Sequence, residues 1–444
     1  MNDNAKSPLS ADAPAPNEAL HQAQDLHRRR SFNAAERLYR SVLDVAPEQP
    51  DALHWLGVLL CGTGRQDQGR ALIERSIALV PSFPGFHNNY GNALLASGAS
   101  ADAERAYRRC LDLDPKQPAV WCNLGICLRR AGRPVEAVHA FDEALSTHPE
   151  QGEGFRSLVD ILEAQDKFEE VASAYEESFA ALPEYELAFK QLARLYYLAG
   201  RVDDAARVYR RWHEADPEHP LPRHMLAACT GEAVPARAAD DMVRLTFDAF
   251  ASSFDQVLNA LAYQTPQLIC EQAAKVVDTR GGALAVADIG CGTGLCGPLL
   301  RPWAGSLIGI DLSPRMLDQA RGRDVYDELI EAELVGWLRG RPGAFDLILC
   351  ADTLCYFGRL DEVFAASRAA LRPGGRFVFS VESADGAADV AQYRLHPSGR
   401  YAHRSAFVEA QVATAGLALL ERRDVTLRRE LGKPVAGCLL STGI

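Results

Sequence analysis

The chain has 444 residues, 48% hydrophobic and 24% charged, a balance that supports large cores and implies two or three domains. A net charge of −12 with no Lys/Arg-rich block argues against a nucleic-acid partner, and no stretch approaches the ~20 apolar residues of a membrane span. The eleven cysteines are scattered without CxxC spacing, and several (Cys127, Cys350, Cys438) sit inside apolar runs, which implies reduced thiols and a cytoplasmic protein. Residues 1–16 are Pro/Ala/polar, lack the apolar core of a signal peptide and are expected to be disordered.

From there prolines recur at 47, 81, 115, 149, 183 and 217, each 34 residues after the last. Within each period a small residue recurs at position 8 (Ala23, Gly57, Gly91, Gly125, Ala193) and another at position 20 (Ala35, Gly69, Ala103, Ala137, Ala205). An aromatic usually stands at position 24 (Tyr39, Tyr107, Phe141, Tyr175, Tyr209). Small residues let paired helices approach, and the aromatic is expected to fill the gap to the next repeat. A fixed 34-residue period with this pattern resembles the tetratricopeptide-repeat family, six copies in which only Val159 and Val171 of the fifth depart from the small residues.

Residues 220–228 begin like a seventh repeat and stop, so they read as a capping helix with a polar outer face. The expected organisation is therefore an α-solenoid over 17–228 and a linker over 229–239 that contains Pro235. Asn89 and Asn123 occupy equivalent positions in successive repeats, where Trp55 and Ser157 stand in the neighbouring copies. The resemblance implies that such amides bind an extended protein or peptide in the concave groove; the alternative is that they bond between helices.

Residues 240–444 alternate strand and helix. Asp240–Phe250 has helical spacing, a helix follows over Thr265–Val277, and strands are expected to end at Asp288 and Asp311. A helix after Gly294, another over Pro314–Arg321, a third strand at Glu328–Ala332 and a fourth over 345–352 continue the pattern. A helix over Leu360–Leu371, strand five over 375–382 and a helix over Arg404–Ala415 follow. Such alternation means a parallel sheet with helices on both faces. The last two apolar runs are joined by only 428–434, too short for a crossover helix, so they should pair antiparallel.

The chemistry concentrates at VADIGCGTGLCG, residues 286–297. An apolar run ends in Asp288, Gly290, Gly292 and Gly294 follow, and a second run ends in Asp311, where a nucleotide ribose would need a carboxylate. The same glycines satisfy the dinucleotide pattern, but Asp288 in front would repel a pyrophosphate, and the antiparallel end of the sheet is unlike a dinucleotide fold. ADIGCGTG, IGIDLSPRMLDQAR, FDLILCAD and LRPGG, in this order, resemble the class I S-adenosylmethionine-dependent methyltransferases, and together with the repeats resemble bacterial tetratricopeptide-containing methyltransferases. The resemblance implies a Rossmann-like α/β domain with a seven-stranded sheet in the order 3-2-1-4-5-7-6, strand seven antiparallel.

It also implies S-adenosylmethionine as cofactor. The backbone of Gly290, Cys291 and Gly292 would approach the methionine moiety with Asp288 near its ammonium, and the Cys291 thiol would be small filler. Asp311 would accept the ribose hydroxyls, Leu312 and Met316 would flank the adenine, and Glu333, followed by Leu334, would accept from the adenine amino group. Ala351 and Asp352 would face the methionine portion. Phe250 stands where many relatives carry a tyrosine over the cofactor, so it can cover the sulfonium without donating a hydrogen bond.

A general base is needed only where the acceptor loses its proton late. Tyr356 and His403 are the candidates chosen from a set that includes Asp352, His396 and Tyr401; no metal-ligand spacing is visible. The reading is an active methyltransferase whose repeats recruit a protein or peptide substrate or partner. The alternative is a scaffold with a degenerate or cofactor-sensing domain, and a third reading is nicotinamide binding.

Overall fold

The computed structural model describes residues 16–146, 159–160, 162–164, 166–181, 186–277, 281–387, 390–430 and 433–444. Residues 1–15 of the expected disordered start, Pro149, Ser157 and Pro183 lie outside the described residues. Two compact units divide the chain, residues 1–148 with 160–183, and residues 149–159 with 184–444.

In the first unit, helices α1 (Pro16–Arg28), α2 (Phe32–Val45), α3 (Pro50–Gly62), α4 (Gln66–Leu79), α5 (Pro84–Ala96), α6 (Ser100–Leu113), α7 (Pro118–Arg130) and α8 (Pro134–Ser146) pair in sequence, and α9 spans Phe168–Ala181. Proline opens α3, α5 and α7 because the first helical position needs no N–H. The repeat aromatics sit differently from expectation. A Cβ at Gly91 would meet the Tyr107 ring at 2.6 Å and one at Gly125 would collide with Phe141, so each aromatic packs first on the glycine of its own repeat. The divergent Val159 and Val171 are nevertheless buried.

The two groove asparagines are inter-helix ties. Asn123 Nδ2 donates to Asn88 and Asn92, both at 3.2 Å, and its Oδ1 accepts from Lys167 Nζ at 2.6 Å; Asn89 Nδ2 contacts His54 Nε2 at 3.0 Å. With both amide hydrogens of Asn123 used and the residue 6% exposed, the peptide-contact expectation fails there.

The second unit begins with α10 (Glu186–Leu198), α11 (Val202–Ala215) and α12 (Pro220–Thr230), the last closed by Gly231 in a left-handed conformation. The outer face of α12 is not polar, because Ala227 and Ala228 pack with Leu395 and Tyr401 of the α/β part. The linker 229–239 is bonded along its length to the α/β part. Ala238 N donates to the Tyr356 carbonyl at 2.8 Å, Gly358 N to that of Ala236 at 2.9 Å, and the Tyr401 hydroxyl to that of Pro235 at 2.8 Å.

The remaining helices are α13 (Asp240–Phe250), α14 (Phe254–Ala260), α15 (Thr265–Ala274), α16 (Gly297–Leu300), α17 (Pro314–Arg321), α18 (Leu334–Arg339), α19 (Asp361–Ala370) and α20 (Ser405–Thr414). The strands are β1 (Leu284–Ile289), β2 (Ala304–Asp311), β3 (Glu328–Glu331), β4 (Phe345–Cys350), β5 (Leu371–Ser383), β6 (Tyr393–Leu395), β7 (Tyr401–His403), β8 (Ala418–Glu430) and β9 (Lys433–Gly443). The parallel order β3-β2-β1-β4-β5 continues into β9, antiparallel to β5, and then β8, antiparallel to β9, so that β9 alone runs against the others of this series, as expected, with Ser380 opposite Leu439 and Thr426 opposite Ala436. The small antiparallel pair β6–β7, joined in parallel to the end of β5, was not expected.

Side chains alternate between the two buried faces of the sheet, as period two requires. Ala287, Ile289, Ile348 and Phe379 pack with Phe364 of α19 on one face, and Val286, Leu347, Leu349 and Val378 with Ile269 of α15 on the other. The helix expected after Gly294 is only the four residues of α16, since Pro302 follows and the chain must enter β2 at Ala304.

Candidate functional site

The C-terminal ends of β1, β2 and β4 open into one cavity of about 510 Å3. This is where parallel α/β sheets bind ligands, because the loops diverge there between crossovers. Of the expected cofactor residues, Asp288, Gly290, Cys291, Gly292, Asp311, Leu312, Met316, Glu333, Leu334, Ala351 and Asp352 all line it, and so do Phe250 and Tyr356.

The glycine turn is locked to the end of the neighbouring strand β2. Gly290 and Cys291 N donate to the Ile310 carbonyl, Gly292 N to Asp311 Oδ2 at 2.9 Å, and Ser313 N to Asp311 Oδ1 at 2.9 Å. Gly290 and Gly292 have φ of 71° and 55°, the left-handed region. A Cβ at Gly290 would collide with Thr353, whereas at Gly292 it would meet nothing within 4 Å. Gly292 is therefore the position where bare backbone faces the cavity. Gly294 departs from expectation: it does not line the cavity, and a Cβ there would press on Tyr326 at 2.9 Å, so its role is packing.

Asp288 is 1% exposed and accepts from the Tyr326 hydroxyl at 2.7 Å. Burial pushes its carboxyl up to about 7, with Tyr326 pulling the other way and Asp311 adding to the rise. Burial also raises Asp311, against the backbone donors of Ser313 and Gly292, and holds the Cys291 thiol well above its ordinary value, so that thiol is inert filler.

Glu333 sits on the cavity, but its carboxylate caps α18. It accepts from Val335 N at 3.0 Å and Gly336 N at 2.7 Å and pairs with Arg237 at 2.9 Å. These partners fix its carboxylate at the cavity edge and take three of its roughly four acceptor sites.

Of the two catalytic candidates, Tyr356 lines the cavity and His403 does not. His403 is fully buried, does not line the cavity, and holds the carbonyls of Phe357 at 2.8 Å and Gly358 at 3.2 Å through Nε2. Burial lowers it to about 4, so the ring is neutral and tied between β7 and the loop after β4. Tyr356 does line the cavity, edge-on to Phe247 at 5.5 Å, but burial drives its phenol far above the usual range. Of the other candidates, His396 bonds Ser398 at 3.1 Å, and Tyr401 is buried on the Pro235 carbonyl.

Asp352 is the acid that faces both cavity and core. It has φ 52°, an uncommon conformation for a non-glycine residue, and its N donates to Ser380 Oγ at 2.7 Å. Arg428, 4% exposed, donates to Asp352 at 2.8 Å, to Glu430 at 2.6 Å and to Glu382; Arg400 pairs with Glu382 at 2.7 Å and with Glu430. Two guanidiniums against three carboxylates leave one surplus negative charge. Burial raises Asp352 and Arg428 counters it; in Glu430 the two guanidiniums overcome burial and lower the pKa. Asp352, Cys355 and Glu382 have ligand atoms within 4.8 Å of one another, yet the cation between the two acids is the Arg428 guanidinium.

Sequence reasoning missed this cluster, since Arg428 fell in the expected turn. It also missed Asp255 of α14, which accepts from Thr293 Oγ1 at 2.6 Å and so braces the glycine turn, and Asp248 of α13, which accepts from Ser313 Oγ at 2.6 Å beside Asp311. Their spacing in FDAFASSFD was visible, their partners were not.

Residues 287–379 match the methyltransferase-domain family, and residues 20–85, 88–152 and 186–229 match tetratricopeptide-repeat families. The chain thus carries tetratricopeptide repeats followed by a methyltransferase domain of the kind that uses S-adenosylmethionine as methyl donor. The ubiquinone biosynthesis O-methyltransferase of Thiobacillus denitrificans is 34% identical over 23% of this chain and 47% of its own length. The 18S rRNA (guanine-N(7))-methyltransferase of Bos taurus is 33% identical over 22% and 38% respectively, so the chain spans less than half the length of these curated relatives. Among solved structures, an S-adenosylmethionine-dependent methyltransferase from Mesorhizobium loti is 24% identical, with 39% of this chain and 98% of that one covered at a TM-score of 0.33. Magnesium protoporphyrin IX methyltransferase from Synechocystis, with bound S-adenosylhomocysteine, is 16% identical over 46% and 98% at 0.35.

Proposed function

We propose that the chain is an active S-adenosylmethionine-dependent methyltransferase. The observation that carries this is the convergence of buried Asp288, the strand-end Asp311 and the open backbone of Gly292 on one cavity. The donor set fits the cofactor: two carboxylates and a glycine turn without a long helix behind it suit an ammonium and a ribose, and disfavour a pyrophosphate. The four-residue α16 removes the helix that nicotinamide binding would use.

In this reading Asp288 holds the ammonium, Asp311 the ribose hydroxyls, and Leu312, Met316 and Leu334 enclose the adenine. When bound, the cofactor supplies an electrophilic methyl on a sulfonium whose loss leaves a neutral thioether. The chain contributes position and dryness, worth up to ~7–11 kcal/mol when geometry is right. Phe247, Phe250 and Phe254 exclude water from that end of the cavity. Asp352, fixed by Arg428 and Ser380, is the group placed to take a proton where the acceptor releases one; Tyr356 and His403 are not.

The repeats of the first unit are assigned to docking a protein partner, with Asn89 and Asn123 serving the array's own stability. The eleven free cysteines suit a cytoplasmic setting, and among the described residues no helix is long and apolar enough to cross a membrane. Calorimetric titration with S-adenosylmethionine tests the reading. Saturable binding lost in Asp311→Ala is expected, and no binding at high micromolar cofactor would return the chain to the scaffold alternative.

A further inference from the structure

The cavity does not end at the methyltransferase strands. Its far wall is made by the last repeat helices of the same compact unit, with half-buried Tyr197 of α10 and half-buried Leu221 and Met225 of α12. Positions 221 and 225 lie one helical turn apart, so one face of α12 is turned inward. The wall is fastened there. His224 Nε2 bonds the Gly399 carbonyl at 2.8 Å, and a Cβ at Gly399 would meet Met225 Sδ at 2.9 Å. The wall also reaches the ion cluster: the Tyr197 phenol is raised first by burial and then by Glu430, with Arg400 opposing.

What this wall faces is acidic. Asp352, its side chain 18% exposed, accepts from Arg428 through Oδ2 at 2.8 Å, and among the described residues no donor meets its Oδ1. The same Arg428 also serves Glu382 and Glu430. The cations of the lining are committed. Arg237 pairs with Asp240 and Glu333, Arg400 pairs with Glu382 and Glu430, Arg194 already has a partner, and Lys190 is exposed. An anionic acceptor would therefore meet the surplus negative charge with no cation to receive it. A basic amine would hold a proton there and lose the lone pair that attacks a methyl group. An uncharged hydroxyl meets neither obstacle: it donates to Oδ1 and keeps a lone pair for the methyl carbon. A phenolic hydroxyl, at about 10 like that of tyrosine, yields its proton to a carboxylate far more readily than an alkyl alcohol does. Burial raises the Asp352 carboxyl toward that range, against Arg428. The rings of Tyr197, Phe247 and Tyr356 on the same cavity suit an aromatic body. A cavity of about 510 Å3 falls in the range of small-ligand sites, roughly 300–1,000 Å3, and this one must also hold the methyl donor, so the acceptor is small.

Resting on the methyltransferase reading, we propose that the space between Asp352 and the last repeat is the acceptor site, and that it takes a small, uncharged aromatic molecule methylated on a phenolic oxygen. The ring packs on Tyr197, Leu221 and Met225, and the hydroxyl donates to Asp352 Oδ1. As the phenolic oxygen bonds the methyl carbon, the methyl–sulfur bond breaks and its electron pair stays on sulfur, while the phenolic proton passes to Asp352. The positive charge lost on sulfur matches the negative charge lost on the carboxylate.

The test uses the full chain saturated with S-adenosylhomocysteine and titrated separately with 2-naphthol and with 2-naphthoate, the same ring system carrying a carboxylate, each followed by its own fluorescence. The naphthol should bind at least about tenfold tighter than the naphthoate. Asp352→Asn, which keeps the shape and removes the charge, should shrink that preference to about threefold or less. Leu221→Trp, which fills the apolar part, should weaken naphthol binding on the order of tenfold while calorimetric S-adenosylmethionine affinity stays within about twofold. Naphthoate binding as tightly as naphthol overturns the proposal, as does a preference unaltered by Asp352→Asn or a naphthol affinity unaltered by Leu221→Trp. Wild-type chain that fails to bind S-adenosylmethionine overturns the underlying reading instead. In parallel, methyl-labelled cofactor and a cell extract split by ultrafiltration should label small molecules whose label survives dilute alkali and passes a cation exchanger, as an aryl methyl ether does. Label confined to protein, released by alkali as from an ester, or retained on the exchanger as on an amine overturns the proposal as well.

Discussion

Asp288 shows how one side chain couples burial to ligand charge. Its carboxyl titrates near 7 in the free chain because burial disfavours the anion, and an ammonium beside it would favour that anion. S-adenosylmethionine affinity should therefore be full above about pH 7 and fall toward tenfold per unit below it, with a proton released on binding. Calorimetry in buffers of different ionisation enthalpy reads that proton, and Asp288→Asn should bind more weakly with a flat pH profile. The sign for stability is opposite: between its ordinary 3.8 and about 7 the native chain binds more protons than the unfolded one, so this residue lowers stability as pH rises through that window. Gly292→Ala isolates the turn. With open space around it, the substitution costs about 1–2 kcal/mol for the left-handed backbone, yet its methyl enters the cavity, so cofactor binding should fall much more than the melting temperature. Asp288 and Asp311 were legible because a strand-end acid needs only an apolar run and a spacing. His403 was not, because a histidine at the end of the Gly/Pro-containing HPSGRYAH gives no sign that β6 and β7 will pair and bury it. Glu333 could have been read as a cap from the helix-forming LVGWL behind it.

At the scale of elements, the β8–β9 hairpin was legible in kind and misread in extent. The polar run 428–430 looked like a connection, and instead continues β8 and carries Arg428 into the sheet, where Asp352, Glu382 and Glu430 meet it; Leu431 and Gly432 lie outside the described residues. Such a cation cannot be recognised from sequence, since two of its partners, Asp352 after β4 and Glu382 in β5, come from distant segments. Removing it leaves Asp352 without its guanidinium and Arg400 alone against Glu382 and Glu430. Arg428→Met should cost about 3–5 kcal/mol, read as a lower melting temperature. Pairing it with Glu382→Gln should restore part of that loss, since a charge goes with its partner. His403 makes a second element-level test. Its pKa is lowered from 6.5 to about 4, so its contribution to stability is complete above 6.5 and is lost as pH falls from there toward 4. His403→Phe should lose the two carbonyl bonds and lower stability, leaving no trace of a titrating base in the pH profile of methyl transfer.

For the whole molecule, the period-34 pattern located the repeats and the strand-helix alternation located the sheet, but neither could show where compactness divides. The pattern suggests a cut near 240; the structure keeps α10 to α12 with the sheet, through Ala227, Ala228, Leu395 and Tyr401 and the bonds of 235–238. A repeat's period records how its helices pack on one another and says nothing about what covers the last one. A chain begun at 240 would expose Leu395 and Tyr401 and leave the Tyr401 hydroxyl and the Tyr356 carbonyl without Pro235 and Ala238. Apolar burial at about 25 cal/mol per Å2 and two orphaned polar groups at about 1–3 kcal/mol each make such a cut costly against total stabilities of about 5–15 kcal/mol. A chain begun at 184 keeps those contacts intact. The shorter product should therefore aggregate or melt well below the longer one, and only the longer should bind S-adenosylmethionine with the affinity of the full chain. Equal melting temperatures and equal cofactor affinity in both would show that the last repeat is a passenger on the methyltransferase domain.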